Sequence, residues 1–313
     1  MRSAIRIFIL SLSLLATSQV QALNVVVSIP PLAAMVMPLL DEDDELHVLL
    51  SPGASPHGFQ LKPSHMRQIQ KADIVVSVGT GIDAWLERAL RNYDGTQVVM
   101  RQLPDLLVLP KRDGGLWQEL DGDHAHQHGH DHAAHEDDDK PMEAARTDGH
   151  IWLSYQNARL LIKEFSQQFQ ALQPLQLGAI VAREKATLAS LSEAHQAWLL
   201  KLEPYQKQGF VVMHDAYQYF EQSFGLQALG TIHVNPEVPP SMRAVQDLRE
   251  LIRHRQVKCI FKEPQFPDAR LTPVVQGLDV SIGTLDPLGF EGKLQPYEAF
   301  YDQLVGDFSA CFQ

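Results

Sequence analysis

Cysteine is nearly absent from the chain: only Cys259 and Cys311 occur in 313 residues, and no CxxC spacing exists. That argues against a thiolate metal centre or a redox motif, whose cysteines come in close pairs. HExxH, GxSxG, Walker A and GxGxxG are missing too, so the common signatures of zinc peptidases, serine hydrolases and nucleotide-binding folds are not available. Basic residues are in deficit, 26 against 38 acidic for a net charge of −12, and they form no cluster. A chain of that sign repels phosphate backbones, and nucleic acid is not expected as a partner. Beyond Ala16 no apolar run approaches the ~20 residues of a membrane helix, and no internal repeat is visible.

What the sequence does contain begins with a leader. Arg2 and Arg6 precede the apolar run Ile7–Ala16, and Val20-Gln21-Ala22 fits the small-x-small cleavage pattern. The expectation is a signal peptide over 1–22, a mature start at Leu23 and, with no cysteine at that point, no lipid anchor. The compartment is then oxidising, most simply a bacterial periplasm. There the two cysteines are most economically a Cys259–Cys311 disulfide tying the C-terminal tail to a buried strand, at ~4 kcal/mol by chain-entropy reasoning.

A tract from Glu119 to Lys140 is almost free of apolar residues and holds six of the fourteen histidines: His124, His126, His128, His130, His132 and His135. No core can form from it, so it reads as a solvated mobile segment within a loop over 113–149. Neutral imidazoles bind Zn²⁺, Cu²⁺ and Ni²⁺, and the interspersed carboxylates concentrate cations. A weak metal-capture site is expected there, below the affinity of any preformed site because wrapping an ion costs chain entropy.

The remainder alternates strand and helix. Strands are expected at Asn24–Ser28, Leu46–Leu50, Ile74–Val78 and Gln97–Met100, then at Phe210–Met213, Leu226–Thr231, Cys259–Phe261 and Val280–Gly283, with an early helix over Leu32–Leu40. Asp83, Ser154 and Asp215 stand where helix N-caps belong. The alternation means α/β architecture with mainly parallel, helix-covered sheets. Roughly 290 mature residues exceed one core, which predicts two lobes, 23–172 and 205–313. Between them, 173–204 has a helical apolar period at Leu177, Val181, Leu188, Leu191, Trp198 and Leu202, a long helix able to act as a strut joining the lobes.

Isolated histidines and one aspartate fall at loop positions of this scheme. His57 lies in SPGASPHGF after the second strand, His150 in TDGHIWLS at the far end of the mobile loop, His214 at the end of FVVM, and Asp286 in GTLDPLG after the last strand. Ligands of open α/β sheets bind beyond the carboxyl ends of strands. Three imidazoles with a carboxylate or water make a tetrahedral Zn²⁺ site. His233 reads as a surface residue, and Trp85, Trp117, Trp152 and Trp198 as packing.

The segments GASPHGFQLKPS, DGHIWLS, VMHDAYQYFE, VNPE, EPQF and GTLDPLG together resemble the metal-binding class of ABC-importer substrate-binding proteins, and within it the periplasmic zinc receptors. The resemblance runs across nearly the whole mature chain. It implies two α/β lobes joined by a long helix, a metal in the cleft, and delivery to a membrane permease driven by an ATPase, with the receptor a monomer and not an enzyme. It carries over His57, His150 and His214 as ligands. In manganese and iron relatives the position of His214 is typically glutamate, so an imidazole there favours Zn²⁺. Pro56 stands where the zinc receptors carry a glutamate, leaving Asp286 or a water as the fourth ligand. Glu263 and Glu237 are expected to support ligands or fix loops. The competing readings are a manganese or iron receptor of the same class, a metal-sequestering adhesin, and a zinc-dependent hydrolase.

Overall fold

The computed structural model describes residues 22–79, 81–112, 117, 146–233, 240–290 and 293–313. The leader over 1–22 apart from its last residue, the histidine tract and Glu237 therefore lie outside the described residues.

Two four-stranded parallel sheets form the frame. The first has the order β2-β1-β3-β4, with β1 at Asn24–Val27, β2 at Glu45–Val48, β3 at Ile74–Ser77 and β4 at Thr96–Val99. The second has the order β6-β5-β7-β8, with β5 at Phe210–His214, β6 at Ala228–His233, β7 at Cys259–Lys262 and β8 at Ser281–Thr284. Central strands are β-branched and buried on both faces, as in Val25-Val26-Val27 and Ile74-Val75-Val76, because helices cover both sides of a parallel sheet.

A helix over Leu177–Leu202, flanked by short 3₁₀ turns at Pro174–Gln176 and Glu203–Tyr205, runs between the two sheets in sequence. At ~1.5 Å per residue it is about 39 Å long, and it packs against both the Tyr155–Leu172 helix of the first half and the Tyr297–Ala310 helix of the second. Its buried stripe is Ile180, Thr187, Leu191, Trp198 and Leu202. Leu177 and Val181, expected inside, are 51% and 45% exposed. The helical period was right, but at the N-terminal end the inward face is rotated by one residue.

The two halves are also joined directly. Tyr297 Oη donates to the Trp152 carbonyl (2.6 Å), Tyr301 Oη to that of Leu153 (2.5 Å), and Trp152 Nε1 to that of Pro287 (2.8 Å). Ser154 caps the Tyr155–Leu172 helix by accepting from the Asn157 amide. The other two expected caps do different work. Asp83 accepts from the Val78 and Gly79 amides, closing the turn after β3, and Asp215 faces Arg112. Cys259 and Cys311 are disulfide-bonded across 52 residues of sequence.

Candidate metal centre

Each candidate ligand is held by local chemistry. Pro56 starts a single 3₁₀ turn over Pro56–Gly58, and Ser55 Oγ accepts the His57 amide, fixing His57 just past β2. The Pro56 carbonyl is itself held by Trp85 Nε1 at 3.1 Å. His150 follows Asp148, whose Oδ1 accepts both the His150 amide (3.0 Å) and its ring Nδ1–H (2.7 Å). The base of the long loop is pinned by an antiparallel bridge between Pro110 and Thr147. His214 is the last residue of β5, and its Nδ1–H donates to Glu263 Oε1 at 2.6 Å. Glu263 directly follows β7, so two adjacent strands deliver the pair.

The three imidazoles converge. Ring centroids are 5.7 Å apart for His57 and His150, 5.5 Å for His57 and His214, and 5.2 Å for His150 and His214. One ring nitrogen from each falls within 4.8 Å of the other two. Nε2 of His150 and Nε2 of His214 are 3.3 Å apart. Two ligands on one tetrahedral Zn²⁺, with bonds of ~2.0–2.1 Å, stand about 3.3–3.4 Å apart. Because Asp148 and Glu263 take the Nδ1 protons, the Nε2 lone pairs of His150 and His214 are left to face the common point.

Electrostatics keep most of this cluster neutral. Burial, then the proximity of His214, holds the His150 pKa well below the ordinary value. His57 is exposed by accessible surface at the rim, yet its ring is wedged against the other two. Loss of hydration, with His214 and His150 adding to it, pulls its pKa down as well. His214 moves the other way: burial lowers it, but Glu263, with Asp215 and Asp148 adding to it, more than offsets that, and the net direction is up. Burial raises the Asp148 carboxyl to about 7, against the opposing amide of His150.

The space enclosed by the rings is small, about 10 Å³, and is walled by Pro56, Trp152, Gln265, Phe266 and Leu288. That is the scale of one water or ion. A larger hollow of about 740 Å³ beside Arg101 shares no residue with the histidines and has none of their chemistry.

Asp286 is buried but lies outside the cluster of mutually close ligand atoms. Its Oδ1 accepts from Gln265 Nε2 (2.7 Å) and the Leu288 amide (3.0 Å), and its Oδ2 from the Phe290 amide (2.6 Å). His233, expected at the surface, is 2% exposed at the end of β6 in register with His214. Its pairing with the buried His214 draws it into the packed end of the sheet. Trp117 is partly buried against the core, as expected, and also carries Arg112 on its face at 3.7 Å. Sequence reading passed over two groups, Asp148 and Arg112. The first had a signal, an acid two residues before a candidate ligand histidine. The second, whose guanidinium reaches both Asp215 and Glu221, had none.

Over residues 25–311 the chain matches the family described as zinc-uptake complex component A, periplasmic. It is 33% identical over 293 residues to the high-affinity zinc uptake system protein ZnuA of Yersinia pestis, across 92% of this chain and 91% of that protein. The protein of the same name from Haemophilus ducreyi is 30% identical over 310 residues, across 97% of each. Among solved structures, the crystal structure of ZnuA superposes with a TM-score of 0.75 at 20% identity, over 94% of this chain and 100% of that one. That likeness speaks for the fold.

Proposed function

This chain belongs to the zinc-uptake complex component A family, and we propose from that premise that it is a high-affinity zinc receptor, capturing Zn²⁺ in the cleft through His57, His150 and His214. The ion is cargo, not a resident cofactor. The observation that carries the reading is the pair of carboxylate-oriented imidazoles with Nε2 atoms 3.3 Å apart, completed by His57 at the exposed rim. All three donors are nitrogens, which suits Zn²⁺ better than Mn²⁺. Delivery is to a membrane permease and, through it, an ATPase, in the periplasm after removal of the leader.

A hydrolase fits the site less well. The carboxylates of Asp148 and Glu263 are already bonded to ring Nδ1 atoms, so neither stands ready as a general base.

The test is metal-competition calorimetry on chelator-stripped protein, with mass spectrometry counting ions. One tight zinc per chain is expected, weakened at least ~10-fold by His57→Ala, His150→Ala or His214→Ala. Wild-type affinity in all three variants places the site elsewhere.

A further inference from the structure

The three histidines account for three corners of a tetrahedron, and a fourth residue lining the same space, Gln265, has a polar atom whose bonding they leave unexplained. Gln265 lines the cavity with His57, His150 and His214. Its Nε2 donates to Asp286 Oδ1 at 2.7 Å. A carboxylate can only accept, so this bond fixes which end of the amide is which. The carbonyl end, Oε1, is thereby left buried, and it has no hydrogen-bond partner among the described residues. A buried acceptor without a donor is costly, of order 1–3 kcal/mol, and calls for an explanation.

Resting on the zinc-receptor reading above, we propose that Gln265 Oε1 accepts a hydrogen bond from a water that occupies the fourth position on the bound Zn²⁺, and that Asp286 acts on the ion only by orienting this amide. An ion held by three neutral imidazoles takes water as its fourth ligand, and the protons of such a water are strong donors in need of acceptors. An amide oxygen meets that need as a neutral acceptor that adds no charge to the site. The fourth ligand is then a solvent molecule, one that can leave. That suits a site that must release its cargo. Asp286 is fully engaged by the Gln265, Leu288 and Phe290 N–H groups, an arrangement that holds a turn and an amide.

A double-mutant cycle with Gln265→Leu and Asp286→Asn tests this. Each variant and the pair are checked for folding by near-ultraviolet circular dichroism. Zinc affinity is then read by chelator competition, and the visible spectrum is recorded with Co²⁺ in place of Zn²⁺. Gln265→Leu is expected to weaken zinc about 10- to 100-fold, as loss of an outer-shell partner does, and to alter the Co²⁺ bands without changing the one-to-one stoichiometry. Asp286→Asn should add little in the Gln265→Leu background. Gln265→Glu places an anionic acceptor beside the bound water, which disfavours loss of its proton, and the Co²⁺-bound water should ionise at higher pH than in the wild type. Wild-type zinc affinity and Co²⁺ spectrum in Gln265→Leu overturn the inference while leaving the three-histidine site standing. A full further loss from Asp286→Asn in the leucine background overturns it in favour of direct ligation by Asp286. Failure of the zinc-receptor reading looks different: no tight zinc in the wild type.

Discussion

At the scale of single residues, two carboxylates decide what His150 and His214 can do. Each removes the Nδ1 proton from contention and turns Nε2 toward the shared point. They differ in electrostatic effect, since the net pKa direction is down for His150 and up for His214. The sign follows for His214. Its folded value lies above its unfolded one, so its contribution to apo stability is present below the ordinary ~6.5 and lost as pH rises through the raised value. On the proposed ligand set zinc must displace that proton, so affinity is expected to fall as pH drops through the raised value. Glu263→Gln is expected to weaken zinc about 10- to 100-fold at neutral pH and to move the acid loss of binding to lower pH. A pH series of competition titrations reads both, and an unshifted acid limb would show that Glu263 does not set the His214 proton.

Among elements, β7 is stapled at one end and functional at the other. Cys259 opens the strand and is disulfide-bonded to Cys311 just past the Tyr297–Ala310 helix, while Glu263 follows its carboxyl end. Gly283 on the neighbouring strand β8 lies against this staple. A Cβ there would come 2.9 Å from Cys311 Sγ and 2.8 Å from the Phe261 ring, so Gly283→Ala should force β8 away from β7. Replacing both cysteines by serine should lower stability by up to ~4 kcal/mol and leave one tight zinc, because the staple is at the opposite end of the strand from the ligands. Denaturant unfolding with zinc counting checks this; loss of zinc by a folded variant would make the disulfide part of the site.

For the whole molecule, the cleft is a junction between two lobes, with the long helix as strut and Arg112 as brace. Arg112 arrives from the first half and bonds Asp215 and Glu221 of the second, beside His214. On the proposed ligand set, zinc bound by residues of both lobes would stabilise their joined state, by about 4 kcal/mol at free zinc 1,000-fold above Kd. A clear rise in melting temperature on zinc addition is therefore expected, by scanning calorimetry. Deleting Asp121–Lys140 should remove only weak binding equivalents and preserve that rise. A folded deletion variant without the tight site would make the histidine tract a principal ligand donor.

The sequence by itself determined the strand–helix alternation, because burial on both faces demands β-branched runs such as Val25–Val27, and it determined that His57, His214 and Asp286 fall beyond strand ends. It also determined the pairing of the cysteines, since only two exist. Their convergence was not in it. Asp148 beside His150 is a local fact, but Glu263 beside His214 exists only because β5 and β7 are neighbours in the sheet, 49 residues apart in sequence. The face of the long helix was equally out of reach. Leu177 and Ile180 belong to stripes of the same period, and only packing against the two flanking helices selected Ile180. Tertiary structure decided also that Asp286 holds an amide, that the Asp83 side chain turns back to the Val78 and Gly79 amides from its N-cap position, and that Asp215 meets Arg112. A side chain that can serve one partner takes another when folding brings that partner into a drier place, where the bond is stronger.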